Sequence, residues 1–538
     1  MRGRGAGGLL GAAALIAVVT ALARVVGFGR WLVFSGSVGA HCVGSAYSTA
    51  NQLPNVLFEV AAGGALAAAV VPLLAGPLAR RDTATVDRVA SALIGWVLLV
   101  LVPVSLVLAL LAGPITDALL DGDSACAGQQ ALSMRLLLVF APQIALYGLG
   151  VVLTGVLQAH RRFFWPALAP LISSLVMIGG YLAYAGTAHG VDDPARLPGA
   201  AEAWLGWGTT AAVAAMTLPL LVPVHRAGVR LRPTLTFPPG VARRGLALAG
   251  AGVVALLAQQ VSVLVVVKLA NYRDPAGALN LFQYVQAVYL LPYAVLAVPL
   301  ATTAFPRLAE QAASGALAGF ARTSAASTRA VVLAGLLGVG LLIAGAPAVT
   351  ALFAATDRFD VHAMNPALVG MAPGLLGFAL IAHVGRALYA LGQGRPAAVA
   401  TATGWSGVVV ASLVLVALMD DTDVVVGLAW GNTVGMLLAG GLLLAALARA
   451  AGSRALTGLG RTAGAGVLGA GLAGVVGHVA SAALLDGRSG VGWAVTAGAL
   501  GAVLALTAFA LPVAALDRRD LITLLRRGKP LGERTSDA

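Results

Sequence analysis

Charge is what this sequence has least of. Of 538 residues only 34 are Lys or Arg and 21 are Asp or Glu, 10% in all, against 59% hydrophobic. Soluble domains carry about 25% charged residues, so the shortage excludes a water-soluble enzyme, a nucleic-acid binder and a disordered chain. Cysteine is scarce too. Cys42 and Cys126 are too few for a disulfide-stapled scaffold and too far apart for a zinc motif. No G-x-x-x-x-G-K-[ST] phosphate loop occurs, so direct drive by ATP is not expected. An ion gradient, the membrane potential or the substrate's own gradient remains. Nor is there a hydrophilic stretch longer than about 23 residues in which to place a soluble domain. The composition describes a polytopic membrane protein, with no catalytic residue, cofactor or metal implied.

A helix needs about 20 apolar residues to cross roughly 30 Å of hydrocarbon. Cutting the apolar runs at charge clusters and Pro/Gly turns predicts fourteen spans, at residues 9–36, 46–76, 89–112, 131–157, 165–187, 203–223, 245–270, 280–304, 328–352, 366–391, 396–418, 424–447, 462–484 and 489–515. With a cytoplasmic N-terminus, the inner segments hold 25 Lys and Arg and the outer ones four: Arg196, Arg273, Arg358 and Arg488. Acidic residues run the other way, 13 outside and 7 inside. The net charge of +13 is therefore explained by the enrichment of bases on cytoplasmic loops, with no anionic polymer required. An even span number places both termini in the cytoplasm. A rival reading takes Arg2, Arg4, the run from Leu9 and Ala21-Leu22-Ala23 as a cleaved secretory signal. Cleavage would leave thirteen spans and a tail still basic, and the uncleaved topology is adopted.

Two stretches repeat at long offset. Leu53-Pro54-Asn55 followed by Pro72 in span 2 is echoed by Leu291-Pro292-Tyr293 followed by Pro306 in span 8. Ala141-Pro142 with Leu157-Gln158-Ala159-His160-Arg161 in span 4 is echoed by Ala372-Pro373 with Leu391-Gly392-Gln393-Gly394-Arg395 in span 10. Each match pairs span n with span n+6, so the copies enter the membrane in the same sense. The expected architecture is all-α: two six-helix lobes related by a pseudo-twofold axis along the membrane normal, with the substrate path between them, plus a C-terminal helix pair. By residue this gives an N-lobe at 1–225, a cytoplasmic linker at 226–244, a C-lobe at 245–448, spans 13 and 14 at 449–515 and a basic cytoplasmic tail at 516–538.

Ionisable groups deep in hydrocarbon cost at least about 2.5 to 3.5 kcal/mol on insertion scales and mark function unless they reach the interface. Arg135, Lys268 and Arg386 stand near span ends, where long stems lift the charge out. Arg24 and Arg30 in span 1 and Glu59 in span 2 are deeper, and Glu59 is the only carboxylate in any predicted span. The trio reads either as an ion pair fastening spans 1 and 2 or as a cationic lining for an anionic substrate with Glu59 as counter-charge. Around it lie Asn51, Gln52 and Asn55 on span 2 and Asn280, Gln283 and Gln286 on span 8. Gln52 with Asn55, and Gln283 with Gln286, share helix faces, which suggests a wet cavity; hydrogen-bond glue between helices is the plainer alternative. Pro54, Pro142, Pro292, Pro299 and Pro373 permit bends, and glycines such as Gly63-Gly64 permit close packing. Cys42 and Cys126 fall in the first two outer loops, where an oxidising exterior permits a disulfide; two unpaired thiols is the other reading.

The run Ala23-Arg24-Val25-Val26-Gly27-Phe28-Gly29-Arg30, then Leu53-Pro54-Asn55 and Gly64-Ala65-Leu66 leading to Val70-Val71-Pro72, resembles the opening of the MurJ/MviN proteins. These are lipid II flippases of the multidrug/oligosaccharidyl-lipid/polysaccharide exporter superfamily. Gly155-Val156-Leu157-Gln158-Ala159 with Arg162-Phe163 and Pro166-Ala167-Leu168-Ala169-Pro170 is similar to the family's turn between spans 4 and 5. Leu291-Pro292-Tyr293-Ala294-Val295-Leu296 with Phe305-Pro306-Arg307-Leu308, and Arg386-Ala387-Leu388-Tyr389-Ala390-Leu391-Gly392, resemble its exits from spans 8 and 10. The likeness extends over about residues 20 to 400.

The resemblance implies a V-shaped cavity and alternating access that carries lipid-linked peptidoglycan precursor from the inner to the outer leaflet of the bacterial cytoplasmic membrane. The implied partners are a lipid-linked anionic substrate of the undecaprenyl-pyrophosphate type, the membrane itself and cell-wall synthesis proteins, with no nucleic acid. Arg24 and Arg30 match family arginines that face the pyrophosphate, with Glu59, Asn51, Asn55, Gln283 and Gln286 beside them. The chain departs from the family pattern at Phe58 and Glu59, where a basic pair is common, at Ser45 in place of an acidic residue, and at Ala287 in place of an arginine. These departures leave three functions in view: a lipid II flippase, a flippase or exporter for another polyprenyl-linked glycan or amphiphile, and a non-transporting scaffold of envelope synthesis.

Overall fold

A computed structural model describes residues 4–60, 64–120, 126–239, 253–274, 277–420 and 423–516. Gly63, linker residues 240–244 and the tail from residue 517 lie outside them. In chain order the first helices are α1 Arg4–Ser37, α2 Cys42–Phe58, α3 Gly64–Ala79, α4 Thr83–Leu110, α5 Ala112–Leu119, α6 Gln129–Phe140, α7 Gln143–Ala159, α8 Phe164–Ala188, α9 Gly199–Thr217 and α10 Leu221–His225. They continue as α11 Val253–Arg273, α12 Ala278–Pro292, α13 Val298–Ala313, α14 Leu317–Ala354, α15 Met364–Met371, α16 Gly374–Ala390, α17 Gly394–Leu418, α18 Val424–Ala451, α19 Leu459–Leu485 and α20 Val491–Leu516. Among the described residues there is no strand.

Twelve of these helices, some bridging a minor break, are long and apolar enough to cross a membrane, and a thirteenth span counts the pair α15 and α16, bent by 42°. The remaining expected span, 46–76, is divided into α2 and α3 with a π-type turn at Glu59 and Val60. Most uninterrupted runs agree with expectation to a few residues, as in α17 against 396–418, whereas α14 begins at Leu317, well before the expected 328. Five spans expected as continuous helices are interrupted, among them 203–223 at the 3-10 turn Leu218–Leu220 with its Pro219, and each break has proline at or shortly before it. Proline has no amide hydrogen and disfavours helix at the residue before it. Ala141-Pro142 separates α6 from α7, and Ala372-Pro373 separates α15 from α16. The freed carbonyls find the same partner in each case. Thr210 Oγ1 on α9 donates to Val139 O at 2.8 Å and accepts from Gln143 Nε2 at 2.8 Å. Thr433 Oγ1 on α18 donates to Gly370 O at 2.7 Å and accepts from Gly374 N at 3.2 Å. The other pair of matched spans also breaks alike. A π turn follows Leu53-Pro54-Asn55 in one, and Tyr293–Ala297 forms a π turn directly after Pro292 in the other.

The chain divides into two compact units. The first comprises Met1–Tyr284 with Thr356–Val361 and Asp420–Val425, and the second Val285–Ala355, His362–Met419 and Val426–Ala538. The first unit takes in α11 and the start of α12, which the sequence reading places in the second lobe. Two buried asparagines account for this. Asn271 on α11 donates from Nδ2 to Thr49 Oγ1 at 3.0 Å and accepts from Ser45 Oγ at 3.5 Å, both on α2. Asn280 on α12 donates to Ala40 O at 3.0 Å and accepts a short bond from Ser48 Oγ. Aromatic rings fill the core of this unit around Phe34, which is 1% exposed. Tyr181 and Tyr47 lie 5.2 and 5.4 Å from it by ring centroid, and Tyr47 Oη bonds Tyr181 Oη at 2.9 Å and Thr209 Oγ1 at 3.0 Å.

The second unit is organised on α14, the longest helix at 38 residues. Helices without a hydrophobic drive to associate rely on close packing of small residues, and α19 and α20 do so here. A Cβ on Gly477 would lie 2.4 Å from Ala344 Cβ, and one on Gly466 2.6 Å from Leu336 Cδ1. The tightest crossing joins α16 to α18, where a Cβ on Gly377 would meet Met436 O at 1.9 Å. Gly377→Val is therefore expected to destabilise the protein by roughly 1 to 3 kcal/mol or more, as overpacking does. Gly441→Ala, with no atom within 4 Å of the added carbon, should leave stability unchanged. Thermal melts in detergent check both; equal melting temperatures would refute the close crossing.

Candidate substrate site

The two deep arginines stand on α1, which packs along α8. Six residues separate them, about 9 Å along the axis and a third of a turn around it, so they face different directions. Arg24 is exposed and makes no hydrogen bond or ion pair among the described residues. Arg30 is half-buried. Its Nη1 donates to Met177 Sδ on α8 at 2.6 Å, its guanidinium carbon lies 5.3 Å from the Trp31 ring, and its Nε is buried with no acceptor. A guanidinium offers five donors and a thioether is a weak acceptor. Arg30 is thus a half-buried cation with one donor, Nε, buried and without a protein acceptor. Its charge reaches the phenols of Tyr47, Tyr147 and Tyr181, and a phenol supplies no negative counter-charge in its neutral form. An anion with several oxygens would satisfy this group where the protein does not.

Glu59 sits half-buried on the π turn after α2, and among the described residues no ion pair joins it to either arginine. Ion pairs among the described residues include His41 with Asp192, Arg135 with Glu202 and Arg196 with Asp193. Asn51 and Asn55 share one half-buried face of α2, where Asn55 Nδ2 donates to Asn51 O at 2.8 Å and Asn51 Oδ1 is buried without a donor. Gln283 and Gln286 are half-buried on α12, Gln283 in the first unit and Gln286 in the second. Asn280 belongs to the hydrogen-bond glue described above. Of the cations near span ends, Arg135 is tied to Glu202 by bonds of 2.7 and 2.9 Å. Lys268 lies 5.8 Å from the Tyr272 ring, and Arg386 keeps Nη1 buried without an acceptor.

At the start of α2 the structure joins Cys42 to Cys126 in a disulfide, with Cα atoms 5.6 Å apart. His41, Cys42 and Asp192 lie close enough to suggest a metal cluster, but the Cys42 sulphur is committed to that bond. Asp192 acts instead as a cap from a distant loop. Its carboxylate accepts from Cys42 N and Val43 N, each at 3.3 Å, and pairs with His41 Nδ1 at 2.5 Å. Periodicity gave no sign of this cap, nor of the Met177 and Trp31 setting of Arg30, because each partner comes from far along the chain. The hydrogen bond to Asp192 holds the His41 imidazole above its ordinary value of 6.5. A raised histidine pKa gives stability that is full below about 6.5 and lost as pH rises through the folded value. Thermal melts of the parent and His41→Gln should therefore differ most below the ordinary histidine value and converge as pH rises through the raised folded value. A gap independent of pH would show that Asp192 acts only through the α2 backbone.

A family model described as lipid II flippase MurJ matches residues 34–504, a range that begins just after Arg24 and Arg30. A probable lipid II flippase MurJ from Rhizobium meliloti (strain 1021) is 26% identical over 371 residues, which are 67% of this chain and 66% of that protein. The matched segment thus spans just under two thirds of that relative. A lipid II flippase MurJ from Burkholderia cenocepacia is 26% identical over 391 residues, 69% of this chain and 71% of that one. Among solved structures, a lipid II flippase MurJ in an inward closed conformation superposes with a TM-score of 0.71 at 18% identity, covering 94% of this chain and 99% of the other. An inward-facing multidrug resistance transporter of the MATE family gives 0.61 at 13% identity, covering 80% and 94%. The family match extends over most of the multi-pass helical body, and the chain belongs to the MurJ family.

Proposed function

We propose that the protein moves lipid-linked peptidoglycan precursor, lipid II, from the inner to the outer leaflet of the bacterial cytoplasmic membrane by alternating access, with both termini in the cytoplasm. The observation that carries this reading is the lipid II flippase family match over residues 34–504. The site chemistry supports it. A pyrophosphate carries several anionic oxygens, and the fork of a guanidinium binds such groups in a bidentate manner that an ammonium cannot. Arg24 offers an exposed cation and Arg30 a half-buried one short of acceptors. Asn51, Asn55, Gln283 and Gln286 supply neutral amides suited to the sugar and peptide portions. Glu59, unpaired with either arginine, leaves the positive charge of both free for the substrate. The internal repeat, with its threonine-capped proline breaks in matched spans, supports two halves that rock about a shared substrate path. Cell-wall synthesis proteins are the natural neighbours of such a transporter. An amphiphile exporter is the less favoured reading, since the multidrug transporter superposes over less of the chain.

Replacing either arginine by alanine removes charge-assisted hydrogen bonds of about 1.5 to 3 kcal/mol, so outward movement of lipid II is expected to fall roughly tenfold or more. Arg30→Lys, which keeps charge but loses the fork, should fall between. Depletion of the host flippase, complementation with each variant and labelling of lipid II at the cell surface measure this. A double alanine variant that supports growth and surface labelling at parental levels would point to a scaffold. Altered sensitivity to cationic compounds with normal wall synthesis would point to an exporter.

A further inference from the structure

The loop between α14 and α15 joins two helices of the second unit but is bonded and packed in the first. Thr356–Val361 belongs to the first unit, although both flanking helices belong to the second. Its anchor is Asp357, 8% exposed. Asp357 Oδ2 accepts from Ser35 Oγ at 2.9 Å and from Tyr284 Oη at 3.3 Å. Its Oδ1 accepts from Phe359 N at 3.1 Å and from Ala40 N at 3.5 Å. One carboxylate therefore gathers the last turn of α1, the α1–α2 turn, α12 and its own loop. Beside it the Phe359 ring stacks on His41, with centroids 4.5 Å apart and planes 13° from parallel. The seat for Phe359 exists because residue 39 is glycine, at φ +85, where a Cβ would lie 2.8 Å from the ring. Thr356 Oγ1 approaches Ser35 Oγ at 3.3 Å.

A carboxylate is worth burying only while its donors are in place, and losing some of them leaves a desolvated charge that costs more than it returns. Such a seat is occupied fully or vacated fully, which is the behaviour of a switch. We propose that residues 356–361 form an outer latch. Seated, they fasten the ends of α14 and α15 to the α1–α2 turn, and every transport cycle must unseat them. The proposal deepens the flippase reading and rests on it.

The test is a covalent lock. Ser35→Cys with Thr356→Cys replaces two hydroxyls 3.3 Å apart by thiols that can be joined. In vesicles holding the full chain and labelled lipid II, the oxidised double variant is expected to lose transport at least roughly fivefold and regain it on reduction. The parent, given the same oxidant and reductant, controls for the native disulfide. A variant shown by mass to be joined, yet transporting at the parental rate, overturns the latch. A second measurement needs no transport. Labelling of a lone Thr356→Cys by an impermeant maleimide should accelerate several-fold when Asp357→Ala or Phe359→Ala is added, and an unchanged rate with both overturns the latch as well. Should the parent itself move no lipid II, the flippase reading fails, and the labelling rates still decide whether the latch exists.

Discussion

In hydrocarbon a polar group has no water to bond with, and the arrangement of this protein is governed by that scarcity. Every helix break must hand its freed carbonyls to a neighbouring side chain. Thr210 and Thr433 take up that duty beside Pro142 and Pro373. The same rule fastens α11 and the start of α12 to α2, since Asn271 donates to Thr49 and Asn280 accepts from Ser48 while donating to Ala40 O just before α2. It also makes the Tyr47, Tyr181 and Thr209 hydroxyls a mutual set within an aromatic core. Against this background a buried group without a partner stands out. Arg30 Nε on α1 is one, as is Asn51 Oδ1 on α2.

The spans were legible in the sequence because a run of apolar residues about 20 long has few alternatives to crossing the bilayer. The proline breaks were half legible. Ala141-Pro142 and Ala372-Pro373 stand in plain view, but a lone threonine in an apolar helix carries no mark of the carbonyl it will meet some 60 residues away. The π turns escaped notice for a related reason, as an extra residue per turn leaves composition untouched. The unit boundary also moved, because apolar periodicity does not show that two asparagines will bind α2.

At the candidate site, residue type was more informative than pairing. Arg24 and Arg30 are conspicuous as charges in an apolar run, but that one is exposed and the other half-buried with Nε lacking an acceptor is visible only in the fold. Glu59 was equally conspicuous, yet it forms no ion pair with them, since depth along two helices does not determine which side chains meet. Asn280 looked like a cavity residue and is a strut. Asp357 and Asp192 drew no attention as loop carboxylates, although each gathers donors from several elements. Apart from Phe359 N, their partners lie about 70 to 320 residues away in sequence, beyond the reach of any local pattern.

The bond between Cys42 and Cys126 encloses α2 to α5 in a covalent ring. The ring cannot close until Cys126 has been synthesised and delivered to the same face of the membrane as Cys42, two crossings later. Once closed, the ring holds the start of α2 beside the segment ahead of α6, however the helices between them move.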